Sequence, residues 1–177
     1  MADLITHTCA ALLWKVVTCP RVAGPWPLPP TVATFVLGTC LPDFIGRVPA
    51  MGLLILRWTF PAIPEWSVYI WGPFHMPIGI VLFSWVAAQA YRIPERSLAF
   101  RQLALGGLLH LFVDLLQTHL GVGYLLLFPF SMWDFEFRLI GSEDTVRIVP
   151  VLLPLTVLAC WRRWGGLGPS LGRTPGP

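Results

Sequence analysis

The stretch over residues 103–121, LALGGLLHLFVDLLQTHLG, constrains this chain more than any other. Its run of Leu, Val and Phe predicts a helix in apolar surroundings, yet it carries His110, Asp114 and His119. An ionisable side chain inside an apolar membrane helix is costly and by default marks a functional position. His110 and Asp114 are four residues apart, so a helix sets both on one face, a turn from each other. Gln117 and Thr118 continue that face. Two donors one turn apart on a rigid element have ligand geometry for a metal. The same spacing also suits a buried imidazole bonded to a carboxylate with no metal. Gly106-Gly107 suits close helix approach rather than a phosphate-cradling loop.

Composition decides the solvent. The chain is 55% hydrophobic and 12% charged, with mean hydropathy +0.69, whereas a soluble domain is about a quarter charged. The expectation is an all-α integral membrane bundle, with about three spanning helices and shorter helices around a polar metal site. Its 177 residues suffice for one domain, expected over residues 1–164, with a flexible Gly/Pro-rich tail over 165–177. Nine Trp and eleven Phe suit interfacial belts and a lipid-facing surface. The net charge of +3 comes from Lys and Arg near helix ends. No basic run points to nucleic acid. Cys9, Cys19, Cys40 and Cys160 show no metal-ribbon spacing and read as apolar filler. The first residues lack a basic region and a small-residue cleavage site, so no cleavable signal peptide is expected.

Along the chain, residues 4–19 read as a helix too short for a confident span. Residues 20–30 hold five Pro and read as a rigid loop. Residues 31–41 are apolar and are expected to stop before Pro42, which leaves Asp43 just past a helix end. Residues 49–60 read as a short helix, and 64–74 as an aromatic interfacial loop. His75 is expected to open the next apolar helix, with Pro77 in its first turn. Residues 146–161 form the last apolar helix. The positive-inside rule places Arg92, Arg96, Arg101, Arg162 and Arg163 in the cytoplasm, joined by spans over 75–91, 102–119 and 146–161. The acidic segment 129–145 then faces outside, and most candidate ligands fall at one level toward the extracytoplasmic face. Few spans and no inverted repeat argue against a transporter.

Three of the four His residues, His7, His75 and His110, sit at or within apolar helices, and Asp43 and Asp114 are the most constrained carboxylates. Imidazole plus carboxylate suits Zn, Mn or Fe(II). A catalytic zinc needs about three protein ligands and an open position for water. Each residue also has a plain reading: His7 as a helix-start residue, Asp43 as a turn residue, His75 as an interfacial residue, His119 as a water-facing helix end. Asp134, Glu136, Glu143 and Asp144 read as a solvated loop, although Glu143 or Asp144 could reach the site as a base. Ser84, Ser142 and Cys40 lack the context of a nucleophile.

Four places in order resemble a known family: His7 in the first helix; Leu41-Pro42-Asp43; His75; and Gly107-x-x-His110-x-x-x-Asp114, followed by Gly121-Val122 and Leu125-Leu126-Leu127-Phe128-Pro129. Over residues 1 to 135 the chain resembles the membrane-bound metal-dependent hydrolases of bacterial inner membranes, themselves distantly similar to zinc-dependent phospholipase C. The resemblance implies a multi-pass inner-membrane protein and a divalent metal, zinc by expectation. It implies hydrolysis of an ester or phosphoester, with membrane lipid or another small molecule as partner. His7, Asp43, His75, His110 and Asp114 match metal-ligand positions, and His110 and Asp114 the catalytic pair. The family often carries His-Arg-x-x-Thr-His here; Ile70 and Phe74 replace its first His and its Thr. A second metal would lack that ligand unless His119 replaced it. The alternative expectation is therefore a catalytically inactive metal-binding or scaffold membrane protein.

Overall fold

Two helices that meet through glycines, Gly38 and Gly106, carry the other elements of the molecule. In this computed structural model, which describes residues 4–19, 30–118, 123–141 and 144–164, α2 (Pro30–Pro42) packs on α6 (Arg96–Leu115). A Cβ on Gly38 would fall into the Leu103 backbone, and one on Gly106 into the Phe35 carbonyl. Small residues at a crossing let backbones touch, which is how helices associate where lipid removes the hydrophobic drive. The two helices run in the same direction: Thr34 Oγ1 lies 3.3 Å from Tyr91 Oη, just before α6, and Arg47, just past α2, meets Asp114 near its end.

The other helices are placed around this pair. The first, α1 (Leu4–Thr18), runs opposite to α6, since His7 meets Asp114 and Lys15 meets Gln102. Helix α7 (Asp144–Trp164) lies along α1, with Arg163 donating to the Cys19 carbonyl and Val32, Cys160 and Trp164 packed with Leu12 and Val16. Helix α5 (Pro77–Ala88) also packs on α6, with Ile80 at Gly107 and Ala88 against Ala99 and Leu103. Lys15, Arg96 and Arg163 share one end of the bundle, and His7 and Asp114 the other. After α6, two residues (β1, Gln117–Thr118) pair in parallel with β2 (Ile140–Gly141), and Tyr124 and Phe135 form an isolated antiparallel bridge. The fold is all-α, as expected.

Three helical stretches are long and apolar enough to cross a membrane: Pro30–Thr59, Ile93–Leu115 and Asp144–Trp164. On α7, Val151, Leu155, Val157 and Trp161 point outward and exposed, a surface that suits lipid and not water. The second and third stretches agree with expectation, and the first is a further one; α5 carries the chain back along α6, from His75 at the cluster to Ala88 beside Ala99 and Leu103. Helix α5 has 12 residues, about 18 Å at ~1.5 Å each, short of a ~30 Å hydrocarbon core.

The helix expected to stop before Pro42 does not stop. It passes through Pro42 into a π-helical turn, Asp43–Arg47, and on into α3 (Val48–Thr59). The Val48 N–H reaches back five residues to the Asp43 carbonyl. In an apolar solvent a broken helix would strand backbone polar groups, so a local widening is the cheaper response to a proline. Segment 64–74 also differs from the expected loop: it holds the short α4 (Trp66–Tyr69) and the start of a 3₁₀ turn, Gly72–His75. His75 closes that turn rather than opening α5, whose first residue is Pro77. Asp144 likewise begins α7 rather than belonging to a loop. The expected loop over 20–29, His119, Gly121-Val122, Ser142, Glu143 and the tail lie outside the described residues.

Candidate metal centre

Each polar residue of the cluster is delivered by a separate constraint. Helix α1 supplies His7, and α6 supplies His110 and Asp114 one turn apart. The π-helical turn supplies Asp43 and Arg47, and the 3₁₀ turn before α5 supplies His75. Gly46 makes room for His75, since a Cβ there would strike the imidazole Nδ1.

All five expected ligand positions meet. His7 Nε2 lies 3.1 Å from Asp114 Oδ1, and His110 Nε2 lies 3.4 Å from Asp114 Oδ2. His75 Nε2 is 3.2 Å from Asp43 Oδ1, and His110 Nε2 is 3.7 Å from the same oxygen. The residues fall into two groups, His7–His110–Asp114 and Asp43–His75–His110, each with donor atoms within 4.8 Å of one another. His110 belongs to both. The His7 and His110 rings stack at 3.8 Å between centroids, 20° apart. Such a buried His/Asp cluster could hold a metal ion.

Burial tests that fit. His7, His110 and Asp114 are fully buried, yet none of the four ring nitrogens of His7 and His110 has a hydrogen-bond partner. The Nε2 atoms are within ion-pair distance of carboxylate oxygens but are not aligned to donate to them. A buried polar atom without a partner costs about 1–3 kcal/mol. Imidazole nitrogens held beside carboxylate oxygens, close but unbonded, form a donor set that a divalent cation would satisfy.

Two further residues were not legible as members of the site. Arg47 bridges both carboxylates, with Nη1 2.8 Å from Asp43 Oδ1 and Nη2 2.9 Å from Asp114 Oδ2. Tyr124 donates its hydroxyl to Asp114 Oδ2 at 2.5 Å and accepts from Arg47 Nη2 at 3.2 Å. Burial, then the Asp114 carboxylate, pushes the Tyr124 phenol up from its ordinary pKa, so it stays a donor. Gln117 faces Asp114 Oδ1 at 3.5 Å, as its place on the α6 face led one to expect. Arg47 was hidden by the helix stop expected at Pro42. Its i, i+4 spacing from Asp43 is the signal that could have revealed it. Tyr124 lay in the apolar run GYLLLFPF, where the phenol was the one polar tip.

The acidic segment contributes to neither ligand group among the described residues. Asp134 accepts from the Gly123 N–H, Arg138 pairs with Glu136, and Arg147 pairs with Asp144. Within the cluster the side chains of Arg47 and Asp43 are the most exposed, at 19% and 15%, whereas those of His7, His110 and Asp114 are closed off. Comparison of the chain with family models, curated proteins and solved structures returns no significant match.

Proposed function

We propose that the protein is a membrane-embedded, metal-dependent hydrolase that cleaves an ester or phosphoester presented from the bilayer, a membrane lipid or a small amphiphile. The observation that carries this reading is the pair of buried imidazole nitrogens, Nε2 of His7 and of His110, that lie beside the Asp114 carboxylate without a hydrogen bond. His7, His110 and Asp114, or Asp43, His75 and His110, would hold the ion: each group offers a zinc three imidazole and carboxylate ligands and leaves a position for water. Bound there, a divalent metal supplies Lewis acidity and lowers the pKa of water toward neutrality. The protein's own groups do the rest. Tyr124 fixes the Asp114 carboxylate, and Gly46 lets His75 sit against Asp43. Water and substrate reach the cluster past Asp43 and Arg47, its partly exposed members. The resemblance to bacterial inner-membrane hydrolases supports the same reading. With Lys15, Arg96 and Arg163 at the cytoplasmic end, the cluster lies toward the extracytoplasmic face.

A second reading follows from Arg47. Its guanidinium neutralises much of the carboxylate charge without any metal, which suits a catalytically inactive scaffold or metal-binding protein. Purified wild type, His110→Ala and Asp114→Asn are to be compared by elemental analysis and by turnover of generic phosphoesters and lipids. The hydrolase reading expects stoichiometric metal and turnover in the wild type, both lost in the variants. Metal without turnover favours the second reading, and a metal-free wild type overturns every metal-based one.

A further inference from the structure

Arg47 is the one Lys or Arg in contact with the cluster's carboxylates among the described residues, and its side chain is the most exposed of the cluster. Two carboxylates against one guanidinium leave the cluster with one net negative charge while its histidines are neutral. In that state the pocket repels anions, and the guanidinium is committed to Asp43 and Asp114. A divalent ion on the same carboxylates reverses the sign to one net positive charge. It also competes for the oxygens that hold Arg47. The guanidinium, 19% exposed and planar, would then offer its N–H fork on the partly exposed side of the cluster.

We propose that Arg47 is an anion-binding residue of the metal-loaded site, and that the group it takes is a phosphoryl group. This rests on the metal-dependent reading above and narrows it from esters in general to phosphoesters. A guanidinium fork matches two phosphoryl oxygens, whereas a neutral carboxylic ester offers it no charge. Metal and anion would therefore bind in order, with Arg47 turning from Asp43 and Asp114 to a phosphoryl group once a divalent ion neutralises the two carboxylates. Arg47 is a specificity-determining residue by this account, and its role is separable from metal ligation because it offers no lone pair to a metal.

The test uses the full chain in detergent, loaded with Zn²⁺ or stripped of it, as wild type, Arg47→Lys and Arg47→Gln. Zinc content is measured first, then binding of inorganic phosphate by ³¹P line broadening, with acetate as the control anion. Expected are phosphate binding only in the zinc-loaded wild type and a loss of about tenfold or more in Arg47→Gln, the scale of a charge-assisted pair. Arg47→Lys should lose less, and zinc content should be unchanged in both. Nanodiscs of phosphatidylcholine with and without phosphatidic acid separate the sources. Competition by phosphatidic acid assigns the phosphoryl group to a lipid headgroup, and its absence assigns it to a soluble phosphoester; either agrees with the proposal. Zinc-loaded Arg47→Gln that binds phosphate like the wild type overturns this inference alone. So does loss of zinc in both variants, which would make Arg47 structural. A wild type that takes up no zinc overturns the metal reading and this inference with it.

Discussion

The two ends of the α1–α6 pair are both polar, and they treat their polar groups in opposite ways. At the basic end Lys15 is buried, but its ammonium donates to Gln102 Oε1 at 2.5 Å and lies 4.2 Å from the Phe35 ring centroid. That end is self-sufficient: the charge has an acceptor and an aromatic face. At the other end Asp114 is crowded with donors, from Arg47 and Tyr124, while His7 and His110 keep four nitrogens without partners. Buried polarity therefore does not by itself mark a site here. What distinguishes the cluster is polarity that the chain leaves unfinished.

The largest break in that contrast should come from Asp114→Ala. It removes the carboxylate shared by His7, His110, Arg47 and Tyr124, so metal binding should vanish. Thermal stability should fall by about 3–5 kcal/mol, the cost of breaking a buried charge pair; elemental analysis and detergent melting curves read both. A smaller effect is expected from Tyr124→Phe, which keeps the ring and removes the hydroxyl that orients Asp114. Metal affinity should weaken by about 10–100-fold, as for other groups that orient a ligand, with the fold retained; competition against a chromogenic chelator measures it. The smallest effect belongs to the satisfied end. Lys15→Met should cost about 1 kcal/mol and leave metal affinity unchanged. A change in metal affinity there comparable to that of Tyr124→Phe would erase the distinction between the two ends.

Much of this arrangement was legible in the chain. An apolar helix carrying His110 and Asp114 announces an expensive polar face, and sequence order tied His7, Asp43 and His75 to it. The direction of α1 and α6 followed from their basic ends, since Lys15 and Arg96 do share one end of the bundle. What was not legible depended on the response of the backbone to one proline. Local rules end a helix at Pro42, but a lipid-facing chain has no water to receive the freed groups. So the helix continued, a further span appeared over Pro30–Thr59, and Arg47 entered the site. Tyr124 was hidden for a different reason: its partnership with Asp114 is a tertiary contact made after the chain leaves α6, and apolar periodicity carries no trace of it.

The π-helical turn has a consequence for how the chain tolerates length change. It holds a surplus residue inside an otherwise regular helix. Deleting one residue from Asp43–Arg47 would leave the helix free to close into ordinary α geometry, with its hydrophobicity almost intact. What lies beyond the deletion would keep nearly its present direction around the helix axis, because the widened turn is what takes up the surplus residue, but the turn that carries Asp43 and Arg47 would be redrawn. Asp43 and Arg47 could no longer address His110 and Asp114 together. This segment is thus tuned by residue count as much as by residue type, and a single deletion there would disarm the cluster while sparing its membrane insertion.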